Sequence, residues 1–323
     1  MNYGEFMETV VKSIPDYLPE AYRNATVSVS QVQKINSPLQ DAIIIRKPDD
    51  NIAITIYPQR FYKEYQRGVS LEEIMRQIAD AGKQADMERN RNSLEEIVQD
   101  IQEFGRIQDE IFICACNYGY NRDGLQDKPH TVAGDIAAYY RFTRGDYGVT
   151  IMDKMLSVYG ITKEELHDIA VKNTIRTFPE PLPMEEIIAG ISGRELSPGE
   201  APTMLVLTNE EAYNGAGAIF CPDILENAGR KMGGDFYIIP SSVHELLLVP
   251  AGMGAAEDMD RMVREVNAAC VEPESQLADH VFLYDAVRKQ VTVPGEKPLQ
   301  EKEPGKTDVK QEDSYQLHKR TGR

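Results

Sequence analysis

The second half of this 323-residue chain alternates predicted strands and helices in an order that few folds accommodate. Short apolar runs predict strands, and apolar residues three and four apart predict helices. The predicted order is β-α-β-β-α-β, with strands at 204–207, 236–239, 244–249 and 281–284 and helices at 222–232 and 256–269. A ferredoxin-like split βαβ unit produces this order. We therefore predict an α+β fold of antiparallel or mixed sheets with packed helices, the C-terminal half being ferredoxin-like.

The first half of the sequence predicts further helices and strands, in smaller groups. A helix is expected at 3–14, followed by three strands that form a small antiparallel meander, at 26–32, 42–45 and 52–57. Farther along the chain we expect a strand at 111–116 that is apolar on both faces, a polar loop at 117–129 and a hairpin that turns at 144–146.

Amphipathic helices are marked in both halves. Ser70, Ser93 and Thr162 each stand three residues before a glutamate, which is the pattern of a capping box at a helix start. In the helix at 256–269 the apolar residues that predict the buried stripe are Met259, Met262, Val263, Val266 and Cys270.

Composition divides the chain into two regions and a tail. The segment 192–202 is rich in glycine, serine and proline and predicts a boundary between an N-terminal α+β region at 1–192 and the βαββαβ region at 203–293. Residues 294–323 combine three prolines and mixed charges with few apolar side chains, so burial cannot offset the entropy of ordering them. We predict a disordered tail, either a solvated end or a short peptide for a partner around Tyr315 and Leu317.

The net charge narrows the choice of partners. The chain carries a formal charge of −17, and from residue 294 onward six acids face seven bases, so the body to residue 293 carries about −18. Such a field repels phosphate backbones and attracts basic surfaces. We therefore expect no nucleic-acid partner, and a basic protein if the partner is a protein.

The apolar runs and the cysteines indicate the cellular compartment of the protein. Glu5, Glu8 and Lys12 interrupt the stretch that a secretory signal would need, and no apolar run approaches the roughly 20 residues of a membrane helix. The four cysteines form no CxxC and stand at no zinc-site spacing from histidine. We expect a cytoplasmic protein with no membrane span, no metal site and no cofactor.

The first candidate site is the stretch 233–250, GGDFYIIPSSVHELLLVP, where Ser241, Ser242, His244 and Glu245 stand close together. Alternation along a strand from residue 244 would send His244 and Glu245 to opposite faces, which suits neither a catalytic base nor its orienting partner. The stretch contains no GxSxG turn of a serine hydrolase. It also has no second histidine three residues beyond the His244-Glu245 pair, as a zinc protease would require. A hairpin tip whose hydroxyls bind local backbone groups is the favoured interpretation of the stretch, so these residues are predicted only as candidate binding groups.

A second candidate pair is His130 with Asp127, at the end of the predicted loop at 117–129, either a ligand-binding pair or a turn. His167 and His280 are predicted to be structural. The sequence NGAG at 214–217 lacks the lysine of a phosphate loop, so nucleotide binding is not expected.

Several segments together resemble one family. They are DYLP at 16–19, ITIY at 54–57 with FYKEY at 61–65, LQDKPHT at 125–131, ELHDIAVKNT at 165–174, and residues 233–250. The chain resembles the uncharacterised bacterial family catalogued as domain of unknown function 5688 over nearly all of residues 1–290. The resemblance implies a bacterial cytoplasmic protein and brings no reaction, cofactor or site residue with it.

Two functions are compatible with these observations. The first is a non-enzymatic interaction or regulatory protein, because the body is acidic and no complete catalytic constellation is present. The second is a small-molecule enzyme or sensor with a pocket between the two regions, where His130, His244 or nearby carboxylates act as acid and base. A concave site where such groups converge would favour the second.

Overall fold

The computed structural model describes residues 1–32, 35–37, 39–48, 53–91, 94–144, 147–192 and 203–295. Within these ranges helices combine with antiparallel sheets, which confirms the predicted α+β class. Ser93, the predicted boundary from residue 193 to 202 and the predicted tail beyond residue 295 lie outside the described residues.

The N-terminal part is a three-stranded antiparallel sheet packed against helices. Its elements are α1 (Tyr3–Ser13), β1 (Thr26–Val32), β2 (Gln40–Arg46), β3 (Ile54–Ile56), α2 (Gln59–Gln66) and α3 (Leu71–Arg91). The sheet order β1-β2-β3 confirms the predicted meander. Phe6, Val10, Ile43, Ile74 and Ile78 are fully buried in a hydrophobic core that belongs to this part.

The middle part is built around one long strand. Its elements are α4 (Leu94–Gln102), α5 (Phe104–Ile107), β4 (Ile111–Asn117), α6 (Tyr118–Leu125), β5 (His130–Ala133), β6 (Ile136–Arg144), β7 (Tyr147–Thr150), α7 (Asp153–Tyr159) and α8 (Lys163–Thr177). β4 pairs along one side of β6, and β5 and β7 pair along the other. The pairing of β6 with β7 confirms the predicted hairpin.

The helix α6 shows that the predicted polar loop at 117–129 is wrong. Asn117 starts the helix by accepting a hydrogen bond from the N–H of Tyr120 at 3.0 Å. Asn121 and Leu125 are buried and hold the helix on the sheet. Two buried positions in eight give a weak apolar pattern, and for this reason the segment resembles a loop in the sequence.

The C-terminal part contains β8 (Leu182–Pro183), α9 (Met184–Ser192), β9 (Leu205–Leu207), a 3₁₀ helix (Gly215–Phe220), α10 (Pro222–Met232), β10 (Phe236–Ile239), β11 (Leu246–Pro250), α11 (Ala256–Cys270), β12 (Phe282–Asp285) and β13 (Gln290–Thr292). The predicted order of strands and helices is confirmed. α10 keeps its predicted bounds because Pro222 begins it and Gly233, with φ +79°, ends it in the left-handed region.

The sheet order in this part is β13-β12-β10-β11-β9-β8. In a ferredoxin-like sheet the fourth strand of the β-α-β-β-α-β series pairs with the first. Here the fourth strand, β12, pairs with the second, β10, so the ferredoxin-like arrangement is wrong. Periodicity identifies strands and helices but does not determine which edge of a sheet receives the last strand.

One hydrophobic core joins the middle part to the C-terminal part. Ile113 and Tyr140 of the middle sheet belong to the same buried cluster as Phe236, Leu246 and Tyr284 of the C-terminal sheet. The N-terminal core is a separate cluster. The division into folding units at 1–192 and 203–293 stays a prediction.

The free edge of β4 is covered by side chains. Asn173 of α8 donates a hydrogen bond to the carbonyl of Ile111 at 2.9 Å, and the Thr174 hydroxyl accepts one from the N–H of Ile113 at 3.1 Å. Gly217 of the 3₁₀ helix approaches the same edge so closely that a Cβ there would stand 2.5 Å from the carbonyl oxygen of Ile113. These contacts explain the residues Asn173 and Thr174 by packing alone.

No helix among the described residues has the length and apolar character that crossing a bilayer requires.

Candidate functional site

A cleft of about 420 Å³ lies between the middle sheet and a loop of the C-terminal part. Its lining comes from Phe112–Cys114 of β4, from Arg141 and Thr143 of β6, from Thr174, Thr177 and Phe178 at the end of α8, and from loop residues 209–211, 213 and 214. Segments that are distant in sequence therefore converge on it. The lining combines two phenylalanine rings with hydroxyl, amide, carboxylate and guanidinium groups.

The sheet register places Arg141 on the floor of this cleft. Arg141 stands opposite Phe112 across β6 and β4, so both side chains project from the same face of the sheet. The guanidinium extends over Gly148 of β7, where a Cβ would stand 2.6 Å from a terminal nitrogen of Arg141. Glycine at position 148 leaves the space that the arginine occupies.

Among the described residues, Arg141 lacks the partners that a partly buried arginine normally has. Its Nε atom is buried and has no hydrogen-bond partner in the described part of the chain, and no ion pair between described residues includes it. Arg144, three positions along β6, donates to both Asp100 and Glu110. An unsatisfied buried donor costs about 1–3 kcal/mol, so this position carries a cost that the described residues do not offset.

The opposite wall is a loop that its own hydrogen bonds hold in shape. Asn209 donates from Nδ2 to the carbonyl of Tyr213 at 2.7 Å and accepts from the N–H of Tyr213 at 3.0 Å. Asn214 adopts a left-handed conformation with φ +56°, which asparagine tolerates better than most residues. The wall is therefore formed without a ligand.

His244 supports this wall from behind. Its ring stacks on Tyr213 with a centroid distance of 5.2 Å and an interplanar angle of 29°, and its Nδ1 accepts a hydrogen bond from the N–H of Asn214 at 3.2 Å. The prediction that a strand starts at residue 244 is wrong, because the N–H of Ser242 bonds the carbonyl of Glu245 at 3.2 Å and closes a turn. His244 thus positions the loop of the cleft.

The other residues of the first candidate site, Ser241, Ser242 and Glu245, form hydrogen bonds within their own turn. The Ser241 hydroxyl donates to a carboxylate oxygen of Glu245 at 3.0 Å, and the Ser242 hydroxyl accepts from the N–H of His244 at 3.0 Å. Glu245 therefore bonds Ser241, while the Nδ1 of His244 bonds the loop. This arrangement is a turn stabilised by its own side chains and contains no base paired with an orienting carboxylate.

The second candidate pair is not a pair in the structure. Nδ1 of His130 lies 2.8 Å from the carbonyl oxygen of Lys128, and the Asp127 carboxylate forms an ion pair with the Lys128 ammonium at 2.7 Å. That hydrogen bond lowers the pKa of Asp127. His130, Tyr139 and Cys114 form one cross-strand row of the sheet, so His130 lies on the face that floors the cleft, two strands from β4.

The thiol in the cleft is held in its protonated form. Burial raises the pKa of Cys114 to about 11, although the charge of Arg141 and a hydrogen bond with Tyr139 both lower it. A protonated thiol is a weak nucleophile. The described residues contain no group of three or more histidine, cysteine and acidic side chains arranged to hold a metal ion.

His280 lies outside the cleft and forms an ion pair that joins the middle and C-terminal parts. Its Nε2 lies 3.1 Å from a carboxylate oxygen of Asp135, in the turn between β5 and β6, and its Nδ1 lies 3.0 Å from the carbonyl oxygen of Val281. Burial alone would lower its pKa. The hydrogen bonds to Asp135 and Val281, with the charges of Asp135 and Asp260, raise the pKa from 6.5 to about 9.

This ion pair should make stability depend on pH. A raised folded-state pKa favours the protonated form, so the stabilisation is complete below about pH 6.5 and is lost as the pH rises through about 9. We expect the free energy of unfolding to fall by on the order of 1–2 kcal/mol between pH 6.5 and 9.5, since part of the side chain stays solvated. Urea titrations at several pH values measure it. Asp135→Asn should flatten the profile, and a wild-type profile parallel to that of the variant would contradict the assignment.

Most residues of the cleft, Arg141, Asn209 and Tyr213 among them, are missing from the functional residues that the sequence predicts. A signal for Arg141 exists in the run IAAYYRF at 136–142, where one basic residue interrupts an apolar strand. Burial of such a residue requires a partner or a ligand.

The fold and the cleft define an α+β protein in which a sheet and a preformed loop enclose a ligand-sized space. The chain belongs to the family of unknown function DUF5688, whose model matches residues 3–286. This match confirms the resemblance seen in the sequence. No curated protein and no solved structure matches the chain.

Proposed function

We propose that the protein binds a small molecule in the cleft between β4, β6, the end of α8 and the loop at 209–214. The observation that carries this proposal is the cleft itself. Its volume of about 420 Å³ lies within the range of ligand pockets, roughly 300–1,000 Å³. Apolar rings from Phe112 and Phe178 stand beside a few polar groups, which is the composition that gives both affinity and orientation.

The walls of the cleft are fixed before any ligand arrives. Asn209 and His244 hold the loop through hydrogen bonds and ring stacking, and Thr174 fastens α8 to β4. A preformed site loses little entropy when it binds, so a ligand keeps most of its interaction energy as affinity. The lining supplies no paired acid and base, and this supports binding or sensing over catalysis.

Filling the cleft should abolish ligand binding. Thr143 lines the cleft at an exposed strand position, where an aromatic residue is tolerated, so Thr143→Trp should block the space without unfolding the sheet. Thr55→Trp, at an exposed position of β3 in the separate N-terminal sheet, is the matched control. Both variants are incubated with the small-molecule fraction of a host extract, and retained compounds are identified by mass spectrometry after gel filtration.

Wild type and Thr55→Trp should retain the same compound and gain thermal stability from it, while Thr143→Trp should do neither. Equal retention by Thr143→Trp, or no compound retained by wild type, would exclude the cleft as the functional site. The acidic chain, with its net charge of −17, would then support interaction with a basic protein, which affinity capture tests.

A further inference from the structure

We infer that the ligand of the cleft is an organic acid with a single negative charge, whose carboxylate binds Arg141 and whose apolar part rests between Phe112 and Phe178. This inference rests on the proposed function and adds the chemical class of the ligand. It is carried by the Arg141 guanidinium on the floor of the cleft, which forms no ion pair with any described residue.

The chain offers abundant acidic groups, yet Arg141 forms no ion pair with any described one. Its neighbour Arg144 shows the usual outcome, because it contacts two carboxylates and the carbonyl of Arg106. The two terminal nitrogens of the Arg141 guanidinium form a planar pair of donors that matches a carboxylate. Hydroxyl groups of Thr143 and Thr177 line the same cleft.

The rim of the cleft limits the charge of the ligand. Glu210 and Glu211 line the cleft from exposed positions of the loop. A second negative charge on the ligand would stand near these carboxylates, in a protein whose net charge is already −17. A phosphate group or a polyanion is therefore disfavoured relative to a carboxylate of charge −1.

The apolar part of the ligand follows from the aromatic lining. Phe112 lies beside Arg141 in the register of the sheet, and Phe178 follows the last residue of α8. An apolar or aromatic group next to the carboxylate would contact both rings and remove apolar surface from water. Acetate, which lacks such a group, should bind much more weakly than an aromatic acid.

A panel of defined probes tests this inference by isothermal titration calorimetry. The probes are phenylacetate, its neutral isostere phenylacetamide, phenyl phosphate and acetate. We expect phenylacetate to bind wild type at least ten-fold more tightly than each of the other three. Arg141→Gln should weaken phenylacetate binding by about ten- to hundred-fold, the range for hydrogen bonds to a charged group. Arg141→Lys keeps the charge but loses the planar pair of donors, so its affinity for phenylacetate should lie between those of wild type and Arg141→Gln.

Thermal melting of the unliganded variants separates a binding effect from a folding effect. Arg141→Gln should melt no lower than wild type, because the arginine Nε has no hydrogen bond to lose. Equal affinity for phenylacetate and phenylacetamide, or unchanged affinity in Arg141→Gln, would overturn the inference. If Thr143→Trp abolished phenylacetate binding in either of these cases, the cleft would still be the binding site, and only the role of Arg141 would be wrong. Binding of none of the four probes would exclude this ligand class, and the extract experiment would then decide separately whether the cleft binds anything.

Discussion

Replacing Gly217 with alanine should destabilise the protein by about 3 kcal/mol, the upper part of the range for an overpacked core position. The new Cβ would stand 2.5 Å from the carbonyl oxygen of Ile113 and 3.1 Å from its carbonyl carbon. Both are backbone atoms of a strand buried on both faces, so no side-chain rotation relieves the overlap. The 3₁₀ helix would have to move away from β4.

Urea unfolding measures this effect, with Gly124→Ala as the matched control. Gly124 lies in α6, and a Cβ there meets no atom within 4 Å. Because alanine favours a helix over glycine, the control should be unchanged or more stable by up to about 1 kcal/mol. Equal midpoints for the two variants would show that the 3₁₀ helix does not require glycine at position 217.

Replacing Asp100 with asparagine should cost about 2–3 kcal/mol. The Asp100 carboxylate is 2% exposed and accepts hydrogen bonds from Arg106, at 2.7 Å, and from Arg144. Removing one partner of a fully buried ion pair costs about 3–5 kcal/mol, because a charge is left uncompensated. The expected cost is smaller here because Arg106 and Arg144 are 42% and 33% exposed.

Glu72→Gln provides the comparison for Asp100→Asn. Glu72 pairs with Arg76 at 2.5 Å on the surface of α3, where both side chains are about 60% exposed. An exposed pair of this spacing contributes about 0.3–0.5 kcal/mol, so this variant should unfold at nearly the wild-type denaturant concentration. A similar loss in both variants would mean that Asp100 contributes no more than a surface charge.

Local sequence patterns predict much of this fold because they report local physics. Thr162 and Glu165 form the predicted capping box, and Gly233 ends α10 at its predicted residue. The strands at 26–32 and 236–239 keep their predicted bounds, since alternating or apolar β-branched residues occur there without interruption. These features need no knowledge of distant contacts.

The buried stripe of α11 shows where the pattern misleads. Val263 is buried as predicted, but Met262 and Val266 are 44% and 45% exposed. Asn267 is buried because its Nδ2 donates to the carbonyl of Ala278 and to Asp279. Because Asn267 is buried and Met262 is exposed, the buried face of α11 differs from the face that hydrophobicity alone predicts.

The cleft cannot be derived from the sequence, because its groups meet only after two sheets have packed on one core. Arg141, Phe178 and Tyr213 come from different elements, and no motif links their positions. His244 was predictable as a functional candidate from its chemistry, whereas its role behind Tyr213 depends on the turn that Ser242 and Glu245 close. Topology determines such neighbours, and periodicity does not.

The covered edge of β4 has a consequence for the behaviour of the protein in a crowded cell. An open strand edge can recruit an extended segment of another molecule, the first step of edge-to-edge aggregation. At β4 the amide of Ile113 and the carbonyl of Ile111 are already engaged by Thr174 and Asn173. Two side chains of one helix therefore protect this sheet from growing into an intermolecular assembly.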